Sequence, residues 1–395
     1  RFRAPAGDGE VLADPPFAAV PQLVAENRRR LTRPDVVIGG LPLPDLRALA
    51  RREALALASG SGPIPDGPLL LAGHQPELSH PGVWAKHFAL TGLARRTGGV
   101  PLNLIVDNDT MKSAALPVPR VQGRGPKAWA EAVPFDRFDR ESPYEDRRVL
   151  DPECFASFPA RVAAVTDDWP DRPLLSDVWL PDAGSVAGAF TAMRVGRERA
   201  WGADNRELRV SALSQTEAFR RFAGHVLADL SRFAAAYNAA IRAYRAANKI
   251  DSANHPAPDL AEGEAPFWVR APEGRRARAT AASDVRHLRP RALTLTLFVR
   301  VCLGDFFVHG IGGGKYDEVT DAIIRDYFGI DPPAYQVVSA TLRLPLPRVA
   351  APDVRESERL VRDLRWNPQR HLTAADAARP EVRALLDEKA KLTAA

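Results

Sequence analysis

Residues 69–105 constrain the fold more than any other stretch. LLLAG at 69–73 is an apolar run of strand length. HPGVWAKHFALTGLARRTGG follows at 80–99, with a proline near its first turn and two glycines past its end, the asymmetry of a helix start and stop. PLNLIVDND at 101–109 opens with a second buried-strand pattern. Strand, helix and strand with short joins make a βαβ unit, and that crossover requires parallel strands. The chain therefore reads as α/β with a parallel sheet. Its 395 residues suffice to bury a sizeable core.

The rest of the chain is organised around this unit. Residues 1–66 read as a helical opening segment, with helical spacing in FAAVPQLVAENRRRL and LPDLRALARREALALA. GSGPIPDGP at 60–68 is a breaker. Residues 67–183 read as the first part of the α/β core with an irregular insertion, of short strands and loops over 115–180. Residues 184–260 read as a helical insertion. Within it SQTEAFRRFAGHVLADLSRFAAAYNAAIRAYRAANKI is one long amphipathic stretch, with Ser214 and Glu217 spaced as a capping box. Residues 261–350 complete the core, with a hairpin around Pro272-Glu273-Gly274 and a late strand in QVVSATLRLPL. Residues 351–395 read as a helical C-terminal segment. The chain opens on Arg1 without a visible signal peptide and stops mid-pattern at LLDEKAKLTAA, so the natural chain is expected to extend past both ends.

Composition excludes several classes. No apolar run reaches the roughly 18–20 residues of a membrane span, so no membrane association is expected. The net charge of +5 is small, and no Lys/Arg run is interleaved with aromatics, which speaks against nucleic acid. Cys154 and Cys302 supply neither a disulfide framework nor a zinc cluster, and a reducing cytoplasm is expected. Lysine is rare beside arginine, as a GC-rich genome would give. A lysine that persists under that drift is a candidate for a role arginine cannot fill. Lys86, Lys112 and Lys315 each lie in one of three motifs.

GHQPELSHPGVWAKH, at 73–87, holds three of the eight histidines. His74 is placed just past a strand end, where ligands of open α/β sheets bind. His80 is placed at a helix start, which favours an anion. The pair could hold a phosphate or carboxylate, move a proton or bind a metal, with Gln75 and Lys86 beside them. Alternatively they cap and stitch a loop. His87, on the helix, reads as structural. In VDNDTMKS, Asp107 and Asp109 emerge at the same sheet edge as candidates for a base, an amine site or a cation site; the alternative is a solvated Asx turn. In FFVHGIGGGKYDEVTD an apolar run ends at His309, and glycines 310–314 lead into a helix opening Lys315-Tyr316-Asp317. Glycines such as Gly312 and Gly313 let backbone approach a ligand closely. Neither a P-loop nor a dinucleotide fingerprint can be read here.

Together these motifs resemble those of the cysteine ligases of bacillithiol synthesis. That family carries Gly-x-Gln-Pro-x-Leu, seen here as Gly73-His74-Gln75-Pro76-Glu77-Leu78, followed by Pro81-Gly82. It carries an acidic strand end, comparable to Asp107-Asn108-Asp109. It also has Leu-Arg-Pro before a glycine segment and a Tyr, comparable to Leu288-Arg289-Pro290 and Gly312-Gly313-Gly314-Lys315-Tyr316. The matching pieces cover about a fifth of the chain. The resemblance implies a Rossmann-like parallel sheet core of the nucleotidylyltransferase superfamily, with a helical insertion and a helical C-terminal extension. The chain departs from the pattern where His74 replaces Gln, His80 a small residue and Lys315 a Glu. A second family, from bacterial surface-polysaccharide genes, is similar at His74-Gln75-Pro76, Gly82 and Lys86 with shifted spacing.

The function expected from this is a ligase or transferase joining an amine or thiol compound, cysteine-like, to an anionic acyl, sugar or phosphate-bearing small molecule. His74, His80, Asp107 and Asp109 are the catalytic candidates. Gln75, Lys86, His309, Gly312, Gly313, Lys315 and Tyr316 are the substrate-binding candidates, with no residue assigned to a metal. An ATP-like nucleotide or a divalent metal as cofactor stays open, as does a homo-oligomer. The alternatives are a metal-dependent hydrolase using His74, His80, Asp107 and His309, and a non-catalytic binder of sugar phosphate or nucleotide.

Overall fold

The structure is a computed structural model that describes residues 2–394 except 59–65, 79, 123–126, 171–177, 181–183, 272–273, 345 and 347–353. The central sheet is built from β1 (Val11–Asp14), β2 (Leu69–His74), β3 (Val100–Ile105), β4 (Arg206–Arg209), β5 (Phe306–His309) and β6 (Tyr335–Ala340). Its order is β1-β6-β5-β2-β3-β4, parallel throughout except for β1. From β2 the chain steps outward through β3 to β4, then returns to place β5 on the other side of β2. The direction of winding thus reverses between β2 and β5. This is a Rossmann-like α/β core, and in such sheets the crevice beyond that switch point is where ligands bind.

Helices cover both faces because side chains alternate along each strand. Leu70 and Ala72 of β2 pack with Val20 and Val24 of α1 (Val20–Arg30) and with Leu90 and Leu93 of α3 (Pro81–Thr97). Leu69 and Leu71 face the opposite layer, with Leu46 and Ala50 of α2 (Leu43–Leu57). These leucines are fully buried, each worth about 2 kcal/mol of transfer free energy. α3 starts with Pro81 and ends at Gly98, whose φ of 63° is the left-handed C-cap position a side chain resists.

Residues 110–200 leave the sheet after β3 and build a second core of their own. A hairpin of Ala115–Gln122 and Lys127–Pro134 packs with α4 (Pro152–Val165) and α5 (Val186–Ala200) around Phe135, Phe155, Phe158, Trp179 and Phe190. The expected short strands and loops over 115–180 are thus two eight-residue strands and a fourteen-residue helix. α5 joins this core across the boundary drawn at 183/184.

The stretch expected as one long helix is two, α6 (Glu217–Ala228) and α7 (Leu230–Asn248), broken at Asp229, whose φ and ψ of −126° and 41° are not helical. The cap of α6 is Thr216, whose hydroxyl accepts from the Phe219 N–H, rather than Ser214, which ends the preceding turn. The hairpin of 264–280 forms as expected, with Leu288–Pro290 as its third strand; Pro272 and Glu273 at its turn, and most of the 60–68 breaker, lie outside the described residues. Beyond it come α8 (Ala292–Phe298), a π-helical turn at Val299–Leu303, β5 and α9 (Ile311–Phe328). The C-terminal segment holds α10 (Val354–Trp366) and α11 (Pro380–Ala394). Among the described residues no helix is long and apolar enough to cross a membrane.

Candidate functional site

A cavity of about 620 Å³ opens at the carboxyl ends of β2 and β5, at the switch point. All three sequence motifs reach it. His74, Gln75, His80 and Lys86 come from the first, Asp109 from the second, and His309, Gly312, Gly313 and Tyr316 from the third. The volume suits a small organic ligand.

β2 runs out at His74, and the chain turns at once toward α3. The His74 Nδ1 lies 3.1 Å from the Gln75 carbonyl, which can only accept, so Nδ1 carries the proton and Nε2 is left as an acceptor. Burial, reinforced by the Lys86 charge, pushes His74 down to about 3. It is therefore a neutral base and not a cation. His80 caps α3: its Nδ1 accepts from the Gly82 N–H at 3.1 Å, so its proton sits on Nε2. Burial, then Lys86, lowers His80 as well. Lys86 is buried inside α3, and its Nζ donates to the Gly73 carbonyl at 2.5 Å. Burial first, then Arg194, brings it down to about 7, although Glu198 pulls the other way. His87 is fully buried against Glu198, at 2.7 Å, and is structural as expected.

The two acidic candidates part company. Asp109 lines the cavity; its Oδ2 accepts from Gln75 Nε2 at 2.9 Å, which ties the first two motifs together. Asp107 does not line it. It is buried, and its carboxylate receives the Ser211 N–H and hydroxyl at 2.8 and 2.5 Å. It thereby serves the first turn of the short helix Val210–Leu213 that follows β4. Replacing Asp107 by Ala leaves these donors without an acceptor and is expected to cost about 1–3 kcal/mol. A urea midpoint lowered with ligand response intact is the expected outcome; lost ligand response at unchanged stability would return Asp107 to the site.

The third motif also divides. α9 begins under the cavity, and Gly312, Gly313, Tyr316 and Asp317 share one of its faces. Lys315 lies off that face and lines a neighbouring groove instead. Lys112 sits elsewhere, in a shallow pocket with Asp151 and Cys154. His309, at the end of β5, places Nε2 2.6 Å from the Asp317 carboxylate. The buried Arg300, delivered by the π-helical turn, donates to that same oxygen at 2.8 Å. Burial alone would raise Asp317, but Arg300 and His309 outweigh it and hold the carboxyl well below the usual range. The ring of His309 fits only because residue 313 is glycine: a β-carbon there would come within 2.6 Å of Nδ1.

On the far wall, Trp268, Arg276 and Arg291 are not among the candidates read from the sequence. Trp268 lines it with Arg276 and Arg291, whose guanidinium carbons lie 4.9 and 4.2 Å from its ring centre. Pro290 lines it too, and its carbonyl accepts from Asn108 Nδ2 at 2.8 Å. Arg289 makes a bidentate pair with Glu145, so the Leu288-Arg289-Pro290 segment is docked against the acidic strand end. Among the described residues no three His, Cys, Asp or Glu are grouped to hold a metal ion, and the Asp107 carboxylate is taken up by Ser211. Comparison with known proteins finds no family model that matches the chain and no significant match to a curated protein.

Proposed function

We propose that the chain is an enzyme joining an amine or thiol compound to an anionic acyl, sugar or phosphate-bearing small molecule in the switch-point cavity. The observation that carries this reading is the meeting of three motifs, the third more than two hundred residues from the first, at one cavity where a neutral imidazole faces a set of cations. A nucleophile of this kind must lose a proton, and His74 Nε2 is the acceptor for it. The attacking N–H or S–H then becomes the new bond, and the proton moves to His74. Asp109 and the Gln75 amide bonded to it orient the nucleophile's polar groups. Lys86 and the backbone N–H groups at the start of α9 offset the negative charge that collects on the partner's oxygen as the leaving group departs with its electron pair. His309, whose Nε2–H is held by Asp317, positions that group, and the proton taken up by His74 passes to it. The resemblance to the cysteine ligases of bacillithiol synthesis agrees with this chemistry and suggests cysteine-like nucleophiles.

The test is thermal unfolding with cysteine and other amino acids, small dicarboxylates, sugar phosphates and ATP, singly and in pairs. A ligand at a hundred times its Kd stabilises by about 2.7 kcal/mol. We expect a shift from at least one amine or thiol and one anion, and product formation when both are present. His74→Ala is expected to keep the anion response and lose product at least about a hundredfold, the usual scale of a general base. Product formation unchanged in His74→Ala would remove the base from the scheme, and no response to any ligand would overturn the reading.

A further inference from the structure

A groove of about 670 Å³ lies beside the mouth of the cavity, between the start of α9, the end of α7 and α10. The two spaces share Ala4 and Ile311 in their walls. Tyr316 stands between them, lining the cavity while its ring meets His255 of the groove at 5.6 Å. The groove is cationic: Arg3, Lys315, Arg359 and Arg362 face one carboxylate, Glu318, while burial, then Lys315 and Arg245, lower His255 and favour its neutral form. Among the described residues the side chains of Arg3, Lys315, Arg359 and Arg362 make no hydrogen bond or ion pair, whereas many arginines elsewhere on this chain are paired. Four like charges facing a single carboxylate repel one another, and the arrangement gains most from an anion placed among them. Guanidinium forks and an ammonium suit phosphate oxygens in particular.

We infer that this groove is a phosphate subsite, which holds the phosphate-bearing part of a substrate whose other end reaches the cavity through the gap beside Tyr316. The inference rests on the reading of the cavity as the reaction site and narrows the substrate class to a phosphate ester or anhydride. It also gives Lys315 a place: off the cavity face of α9, yet at the adjoining anion site.

Isothermal titration of the full chain with inorganic tripolyphosphate reads the phosphate chemistry alone; ATP and glucose 6-phosphate in separate titrations tell a nucleotide from a sugar phosphate. We expect one tripolyphosphate per chain, bound more weakly as salt rises. Arg359→Gln, Arg362→Gln and Lys315→Gln are each expected to weaken it about tenfold or more, the loss of one charge-assisted contact. Glu318→Gln is expected to tighten it, a result that misfolding cannot mimic. His74→Ala should leave tripolyphosphate binding unchanged. Affinity indifferent to the groove variants, or no binding, overturns the subsite even if cavity ligands still respond to His74. Groove-dependent binding with no catalysis or cavity ligand would instead leave the subsite standing and remove the reaction.

Discussion

Asp317→Asn is expected to destabilise the chain by about 3 kcal/mol at pH 7, the low end of the cost of breaking a buried ion pair. Asp317 is 1% exposed and its carboxylate answers two groups, Arg300 at 2.8 Å and His309 at 2.6 Å. The amide carries no charge for either. Arg300 keeps Asp321 at 2.7 Å and the Pro333 carbonyl, which limits the loss. The pH dependence has a fixed sign. Because Asp317 is held below its ordinary range in the fold, its contribution is fully present above the ordinary carboxylate pKa and is lost as pH falls through the lower folded value. Wild type and Asp317→Asn should therefore converge only in strong acid. Urea midpoints at pH 7 and pH 4 check this. A loss below about 1 kcal/mol at pH 7 would mean that Arg300, Asp317 and His309 do not act as a unit.

Lys86→Met is expected to act in the opposite direction, stabilising the chain while silencing the cavity. The fall of Lys86 from 10.5 to about 7, caused first by burial, corresponds to roughly 5 kcal/mol at about 1.4 kcal/mol per pH unit. The hydrogen bond to the Gly73 carbonyl offsets about 1–2 kcal/mol of this. Between pH 10.5 and about 7 the unfolded chain binds a proton that the folded chain does not, so stability declines as pH falls through that window and is flat below it. Methionine fills a similar volume without the penalty. The expected gain is about 3–4 kcal/mol at pH 6, vanishing near pH 10, together with loss of the response to anionic ligands. An unchanged or lower urea midpoint at pH 6 would show that Lys86 is held as a satisfied ammonium and would argue against its role as a responsive cation.

The βαβ unit was legible because its signals are local: Leu69–Ala72 is apolar without a break, Pro81 starts α3 and Gly98 stops it. The position of β5 beside β2 was not, since Phe306–Val308 pairs with Leu70–Ala72 across more than two hundred residues and no local pattern encodes that. The hairpin at 115–134 was hidden by Pro117 and Pro119, which a strand pattern ordinarily excludes, and α4 by Pro159 within it. His74, His80 and His309 could be found because strand ends and helix starts are where an α/β sheet works. Asp107 and Asp109 looked equivalent by spacing, and only Ser211, a hundred residues on, separates them. Trp268, Arg276 and Arg291 reach the cavity through a hairpin whose docking depends on tertiary packing.

The two ends of the central sheet bear on how the chain behaves among its own copies. β1 and β4 are the outermost strands, and each is only four residues long. β4 reads Arg-Glu-Leu-Arg, and β1 runs against the direction of every other strand. Short, charged or reversed borders give a foreign strand little ladder to extend, so the apolar interior strands on which the cavity is mounted are shielded from edge-to-edge aggregation.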